Sequence, residues 1–369
     1  MSNIYEKLNI NYILILIILY PMVQPISIGE VTDKRSLNFV IEVLSKNDIL
    51  YDKNIDYTCA LFDDDYNIIG TGSYFGNTLR CIAVSPEFQG EGLLVPIITH
   101  LMEKQFERGV YKMFLYTKYS SGKFFKNLGF YEIASVSNTL VFMENDKDGF
   151  SKYLNKLKPS INYSNKKIAA VIMNANPFTL GHLFLIEKAS KENDVVFLFV
   201  VSEDMSLVPF DIRMKLVKKG VSHLDNILIR ETGSYIISSA TFPSYFLKEE
   251  TKVAEGHAKL DVTVFTKIAK ELNIQKRYVG EEPYSLVTNI YNKVLSIELT
   301  KNNIECIIVP RLKIDEDYVS ASNVMQCIKD DNIDCLKKYT PKTTYEFFLS
   351  EEGKKVVEKI KKSENVKHH

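Results

Sequence analysis

Apolar and polar positions follow two different rhythms along the chain. From Tyr57 the runs YTCALFDDD, NIIGTGSYF and TLRCIAV are short and rich in β-formers, with the Asp63-Asp64-Asp65 turn between the first two. Such runs predict a hairpin-led antiparallel sheet. A polar, glycine-bearing stretch from Ser85 to Gly92 then opens onto a helix to about Arg108. A strand at Lys112 to Thr117, a short helix at Ser121 to Leu128 and two strands within Phe130 to Met143 follow. After Lys167 apolar strands alternate with amphipathic helices, the pattern of a parallel α/β sheet. Its strands begin at Ile168, Asp194, Asn226, Lys276 and Ile304, and helices are expected at about 181–192, 211–223, 261–272 and 285–301, with a last one near Ser320.

The stretch Asn145 to Asn165, rich in Lys, Asn and Ser with Pro159, reads as a connection between domains. The expected organisation is an apolar extension at 1–27, a mixed α+β domain at 28–145, a linker at 146–165, a parallel α/β domain at 166–345 and a charged tail at 346–369. The Lys-rich part of that tail, from Glu351, reads as a solvated helix or frayed end. The run Tyr12 to Tyr20 is too short to span a bilayer, and it lacks the basic flank and small-residue cleavage site of an export signal. A packed element, a partner contact or a non-functional upstream extension is expected there, with no stable membrane insertion.

Composition changes this picture little. With 369 residues, two cores are the default expectation. Lys plus Arg and Asp plus Glu are both 46, so no overall field favours nucleic acid or an anionic membrane. The five cysteines, Cys59, Cys81, Cys306, Cys327 and Cys335, are dispersed and lack CxxC spacing, which argues against a disulfide framework or zinc site and for a reducing cytoplasm.

The chemistry concentrates after the first strand of the second half. There the chain reads Asn174-Ala175-Asn176-Pro177-Phe178-Thr179-Leu180-Gly181-His182 and enters a helix. Open parallel sheets bind ligands at the carboxyl ends of their strands, and a helix start offers unpaired N–H groups to phosphate. Gly181 removes a side chain where a nucleotide approaches the backbone, and His182 and Thr179 are candidate hydrogen-bond donors to an α-phosphate as negative charge grows. The bland alternative for the histidine is a structural or merely exposed residue at a helix start.

This segment resembles the T/HxGH motif of the nucleotidyltransferase superfamily. Val319-Ser320-Ala321-Ser322-Asn323-Val324-Met325 is similar to its ISxSxxR motif, with Ser320 and Ser322 matching and Met325 standing where arginine is expected. The serines are otherwise simple helix caps. Arg311, Lys313 or Lys329 are candidates to restore the missing charge. The resemblance makes Asn174, Asn176, Pro177, Phe178, Gly181, Gly280, Ser320 and Ser322 the expected ATP-binding positions. Glu203-Asp204 and Gly280-Glu281-Glu282-Pro283 fall on the same sheet edge, where exposed carboxylates and plain turns are also common. Arg213 reads either as a phosphate contact or as a surface ion pair.

The stretches MNANPFTLGH, VSEDMSLVPFDIRMKLVKKG, YIISSATFPSYFLKE and RYVGEEPYSLVTNIYN together resemble the citrate lyase ligase family. That family carries an acetyltransferase-like domain of the GNAT kind ahead of its Rossmann-like nucleotidyltransferase domain. CIAVSPEFQGEGLL stands where a GNAT phosphate loop belongs, so Val84, Gln89, Gly90 and Gly92 are expected to hold a CoA-like arm, although Leu94 replaces a second small residue. The resemblance implies ATP and acetate as substrates, acetyl-adenylate as intermediate and the thiol of the citrate lyase acyl-carrier prosthetic group as acceptor. Magnesium bridging the phosphates is expected from the chemistry; no run of ligands suggests a dedicated metal cage. The competing readings are adenylyl or cytidylyl transfer to a phosphorylated metabolite, and a catalytically weakened nucleotide-binding regulator.

Overall fold

The computed structural model describes residues 27–161, 163, 165–202, 205–236, 238, 242–245, 247, 249–281 and 286–363. Tyr12 to Tyr20, Glu203-Asp204 and Glu282-Pro283 lie outside the described residues. The chain divides into two compact units between Tyr111 and Lys112.

In the first unit, strands β1 (Ser27–Glu30), β2 (Tyr57–Phe62), β3 (Ile68–Phe75) and β4 (Thr78–Val84) pair antiparallel in consecutive order. Between β1 and β2 lies a helix that the hydrophobic pattern did not single out, α1 (Lys34–Lys46). Asp33 caps it, accepting from the N–H groups of Arg35 and Ser36 at 2.9 Å each, and Val40, Val43 and Leu44 form its buried stripe. The expected Asp63 turn closes on Asn67, whose N–H donates to the Asp63 carboxylate at 2.8 Å. Helix α2 (Leu94–Glu107) buries Ile97, Ile98 and Leu101.

The second unit opens with β5 (Phe114–Lys118), α3 (Gly122–Asn127), β6 (Tyr131–Val136) and β7 (Leu140–Glu144), with β7 between β5 and β6, all antiparallel. Within the expected linker Gly149–Leu157 forms helix α4. Glu144, 2% exposed, anchors this region. Its carboxylate accepts from the Phe150 N–H at 2.6 Å and the Tyr235 hydroxyl at 2.9 Å, and it pairs with Lys112 at 3.2 Å. Tyr245 adds a hydroxyl bond to the Tyr116 carbonyl at 3.0 Å. The sequence read as a link is therefore fastened on both sides.

The parallel sheet follows in chain order: β8 (Ile168–Met173), α5 (Leu180–Glu192), β9 (Val195–Val200), α6 (Phe210–Gly220), β10 (Ile227–Glu231), α7 (Glu250–Leu272), β11 (Lys276–Gly280), α8 (Leu286–Lys301) and β12 (Glu305–Val309). Strand order is β10-β9-β8-β11-β12, every pair parallel. Successive strands step outward from β8 to β10 and then restart on its other side, so the order reverses between β8 and β11 and opens a crevice at their carboxyl ends. Helix α7 starts eleven residues earlier than its apolar periodicity suggested, at Glu250.

A short hairpin, β13 (Lys313–Ile314) with β14 (Asp317–Tyr318), leads into α9 (Ala321–Lys329). Helices α10 (Leu336–Tyr339), α11 (Lys342–Leu349) and α12 (Glu351–Lys362) complete the described chain. The charged tail is more than a solvated end: Ser350 caps α12, and Val356 and Ile360 are buried in the main core of this half. The cysteine expectation needs correction as well. Cys327 and Cys335 form a disulfide, with Cα atoms 5.8 Å apart, because the chain turns back at the end of α9. No spacing rule for sequence pairs reports that reversal. Cys59 and Cys81 are free and buried; Cys306 is free and half-buried. No helix of the described residues is long and apolar enough to cross a membrane.

Candidate active site

The loop leaving β8 is held from behind. Ala175 is fully buried with a left-handed φ of 52°, a conformation that costs a non-glycine residue energy and persists only when its surroundings enforce it. Arg213 supplies much of that enforcement. Its guanidinium, 0% exposed, donates to the carbonyls of Asn174 (2.6 Å), Val201 (2.9 Å) and Val208 (3.1 Å). It is therefore neither a phosphate contact nor a surface ion pair but a clamp on three chain segments. Asn176 accepts from the Val208 N–H at 3.0 Å, and Asn174 donates to Ser206 at 3.1 Å.

Pro177 and Phe178 are buried and do not line the cleft described below. The Phe178 ring is fully buried against Gly220 of α6, where an added Cβ would lie 2.3 Å from a ring carbon. These two positions shape the loop rather than face its opening.

Thr179 is the N-cap of α5, and His182 is the third residue of that helix. The His182 N–H donates to the Thr179 hydroxyl at 3.3 Å, while the Thr179 N–H donates to His182 Nδ1 at 3.1 Å. The Thr179 hydroxyl lies 2.8 Å from the same nitrogen. An imidazole whose Nδ1 accepts carries its proton on Nε2. The ring is only partly open to solvent; desolvation, with the Arg311 charge second, pushes its pKa from 6.5 down to about 4. His182 is thus a neutral Nε2–H donor at physiological pH.

Around it lies a cleft of about 610 Å³. Asn174, Asn176, Thr179, Gly181 and His182 line one side. An added Cβ on Gly181 would meet the Val319 carbonyl at 3.3 Å, so the missing side chain lets the start of α5 approach the segment before α9. Ser320, Ser322 and Met325 line that second side. Ser320 caps α9, accepting from the Asn323 N–H at 3.1 Å. Gly280, at the end of β11, also borders the cleft, and a Cβ there would meet no atom within 4 Å. Two helix starts and two strand ends therefore converge, an arrangement suited to a polyanion. Phe184, Met205, Ser238 and Thr288 line the cleft too and were not singled out from sequence. Met205 follows β9 on the same ligand-binding edge, which was its available signal.

In the first unit, the Val84 carbonyl accepts from the Asn47 amide at 3.0 Å and from Gln89 at 3.4 Å. Gly90 and Gly92 take left-handed φ values of 95° and 78°, which a turn of this kind requires. Helix α2 follows without a side-chain cap, unlike α1, α5 and α9. Within its first turn Pro96 has no N–H and the Val95 N–H already donates to the Gly92 carbonyl at 3.0 Å, so this helix start offers an anion fewer donors than an ordinary one.

Residues 168–348 match the model of the citrate lyase ligase C-terminal domain, and residues 32–130 match the acetyltransferase (GNAT) family. The citrate (pro-3S)-lyase ligase of Klebsiella pneumoniae is 36% identical over 287 residues, covering 76% of this chain and 84% of that protein. Its namesake from Escherichia coli strain K12 is 31% identical, covering 86% and 91%. That of Haemophilus influenzae is 32% identical, covering 86% and 96%.

Proposed function

The chain belongs to the citrate lyase ligase family, and on that premise we propose that it activates acetate with ATP and passes the acetyl group to a carrier thiol. In the first step an acetate oxygen attacks the α-phosphorus, the α–β bridging P–O bond breaks, and pyrophosphate leaves. In the second, the carrier thiol loses its proton and attacks the acetyl carbon, and AMP departs with the electrons of the C–O bond. The acceptor in this reading is the CoA-like prosthetic group of the citrate lyase acyl-carrier subunit, and the location is the cytoplasm, where ATP is available.

One observation carries the proposal: His182, locked by Thr179 as a neutral Nε2–H donor, borders a cleft on which two capped helix starts converge. The Nε2–H bonds an α-phosphate oxygen and strengthens as charge grows there. Thr179 acts through His182 as a positioning residue. Asn174, Asn176, Gly181 and Gly280 shape the nucleotide's bed, with Pro177 and Phe178 supporting it, and Ser320 and Ser322 with the N–H groups of α9 face the outer phosphates. Magnesium belongs to the nucleotide substrate, and no residue is assigned to it; among the described residues no group of three or more His, Cys, Asp or Glu is placed to hold a metal ion. Val84, Gln89, Gly90 and Gly92 are the proposed seat of the carrier arm.

Hydroxylamine trapping tests this reading. With ATP and acetate the enzyme should yield acetohydroxamate and one pyrophosphate per acyl group trapped. Pyrophosphate release that needs a phosphorylated metabolite instead of acetate would overturn it in favour of nucleotidyl transfer, and nucleotide binding without turnover would favour a regulator.

A further inference from the structure

Met325 leaves the start of α9 without the cation expected there. It is 4% exposed and packs with Val324 and Ile328 in the apolar core, so it offers the phosphates neither charge nor a donor. Of the three basic residues near it in sequence, Lys329 donates to the Ser363 carbonyl at 2.5 Å, and Lys313 sits over the Tyr318 ring at 4.5 Å. Neither lines the cleft; Arg311 does, and it is the only Lys or Arg among the described lining residues.

The hairpin explains how Arg311 reaches that wall. Strand β12 ends at Val309 on the ligand-binding edge, and Pro310 cannot continue the ladder. Lys313 then pairs with Tyr318 and Ile314 with Asp317, and the Val319 N–H donates to the Leu312 carbonyl at 2.9 Å. Arg311 and Ser320 each stand one residue beyond that bond, and both line the cleft with Ser322. A guanidinium and the start of α9 thus face one cavity. The field of Arg311 is also felt at His182, across the cleft.

We propose that Arg311 is the cation that grips the outer phosphates of ATP, and the pyrophosphate formed from them, supplying from the segment after β12 the charge that position 325 of α9 lacks. The inference rests on the nucleotide reading of the cleft, not on acetate or the carrier. A planar guanidinium bonds two phosphate oxygens at once, and an ammonium at the same place gives only a point charge. Two helix starts and one guanidinium then share the triphosphate, with the α-phosphate left to His182.

The test compares ATP with AMP, which lacks the outer phosphates, by isothermal titration calorimetry on the full chain. Arg311→Ala should weaken ATP about 10- to 100-fold, the scale for losing hydrogen bonds to a charged group, and leave AMP within about twofold. Arg311→Lys should fall between, and Lys329→Ala should bind both nucleotides like wild type. Equal weakening of ATP and AMP, or no change in either, overturns the proposal. If Arg311→Ala does not fold, the ATP-to-AMP ratio of Arg311→Lys decides, since a merely structural arginine would leave that ratio unmoved. Acetate-dependent ATP–pyrophosphate exchange by wild type is run alongside. Its absence sinks the ligase reading while the ATP–AMP comparison still judges Arg311.

Discussion

At the start of α5 a threonine caps the helix and its partner three residues on is a histidine; at the start of α9 a serine caps and the partner is an asparagine. Both caps accept the N–H of that partner, at 3.3 Å and 3.1 Å. They differ in what the partner side chain has left to offer. His182 turns Nδ1 back to the Thr179 N–H and keeps an Nε2–H in reserve. Asn323 accepts from the Ser320 hydroxyl at 2.8 Å and donates to the Tyr318 carbonyl at 2.8 Å, so both ends of its amide are engaged locally. One backbone device thus leaves a second side-chain face at α5 and none at α9. The same cap-and-third-residue spacing has a different chemical value depending on whether the third side chain has a second face.

The largest effect should come from removing that second face. His182→Ala is expected to cost about 10²–10³ in acetate-dependent ATP–pyrophosphate exchange, the scale for one transition-state donor, far beyond the loss of about 1 kcal/mol in stability from leaving the Thr179 N–H without its acceptor. Equal exchange rates would erase the distinction between the helix starts. A smaller effect, on the order of tenfold in kcat with KM for ATP little changed, is expected for Thr179→Ala, and Thr179→Ser should restore it by returning the hydroxyl. Asn323→Ala should instead cost about 1 kcal/mol of stability through the weakened cap and spare kcat. A loss in kcat at Asn323 matching that at Thr179 would show that the caps do the same work.

The smallest effect concerns pH. Because the folded pKa of His182 is about 4, below its ordinary 6.5, the unfolded chain binds a proton between those values that the folded chain does not. Stability from this source is complete above about pH 6.5 and is lost as pH falls toward 4. Thermal melts of wild type should therefore fall more steeply across that window than those of His182→Asn, and exchange rates should show no His182 limb near 6.5. Asn323, which does not titrate, predicts no counterpart at α9.

Much of this site was legible because its signals are local. A strand, a six-residue loop and a capped helix lie within one short stretch of sequence, and Thr179, His182, Ser320 and Ser322 could be read from caps and motif. The misreadings involve partners far away in sequence. Phe178 looks like a loop aromatic awaiting a ligand until Gly220 is seen to make room for its ring. Arg213 looks exposed at a helix start until three carbonyls from separate strands and loops are found around it. The hairpin between Arg311 and Ser320 has strands of two residues each, too short for periodicity to announce. Helix α1 hid for another reason: its buried stripe of Val40, Val43 and Leu44 is narrow, and the exposed Phe39 and Ile41 blur it.

The Glu144 cluster sets a rule for anyone who wants to recombine these folds. Grafting a different acetyltransferase-like sheet onto residues 146–369 at the composition boundary would remove Glu144 with its Lys112 counter-ion and strand the Tyr235 hydroxyl and the Phe150 N–H that donate to that carboxylate. A workable chimera has to carry β5 to β7 together with the nucleotide half, or transplant Glu144 and Lys112 along with the new sheet. Compatibility across that seam, more than linker length, is what exchange of parts between relatives has to preserve.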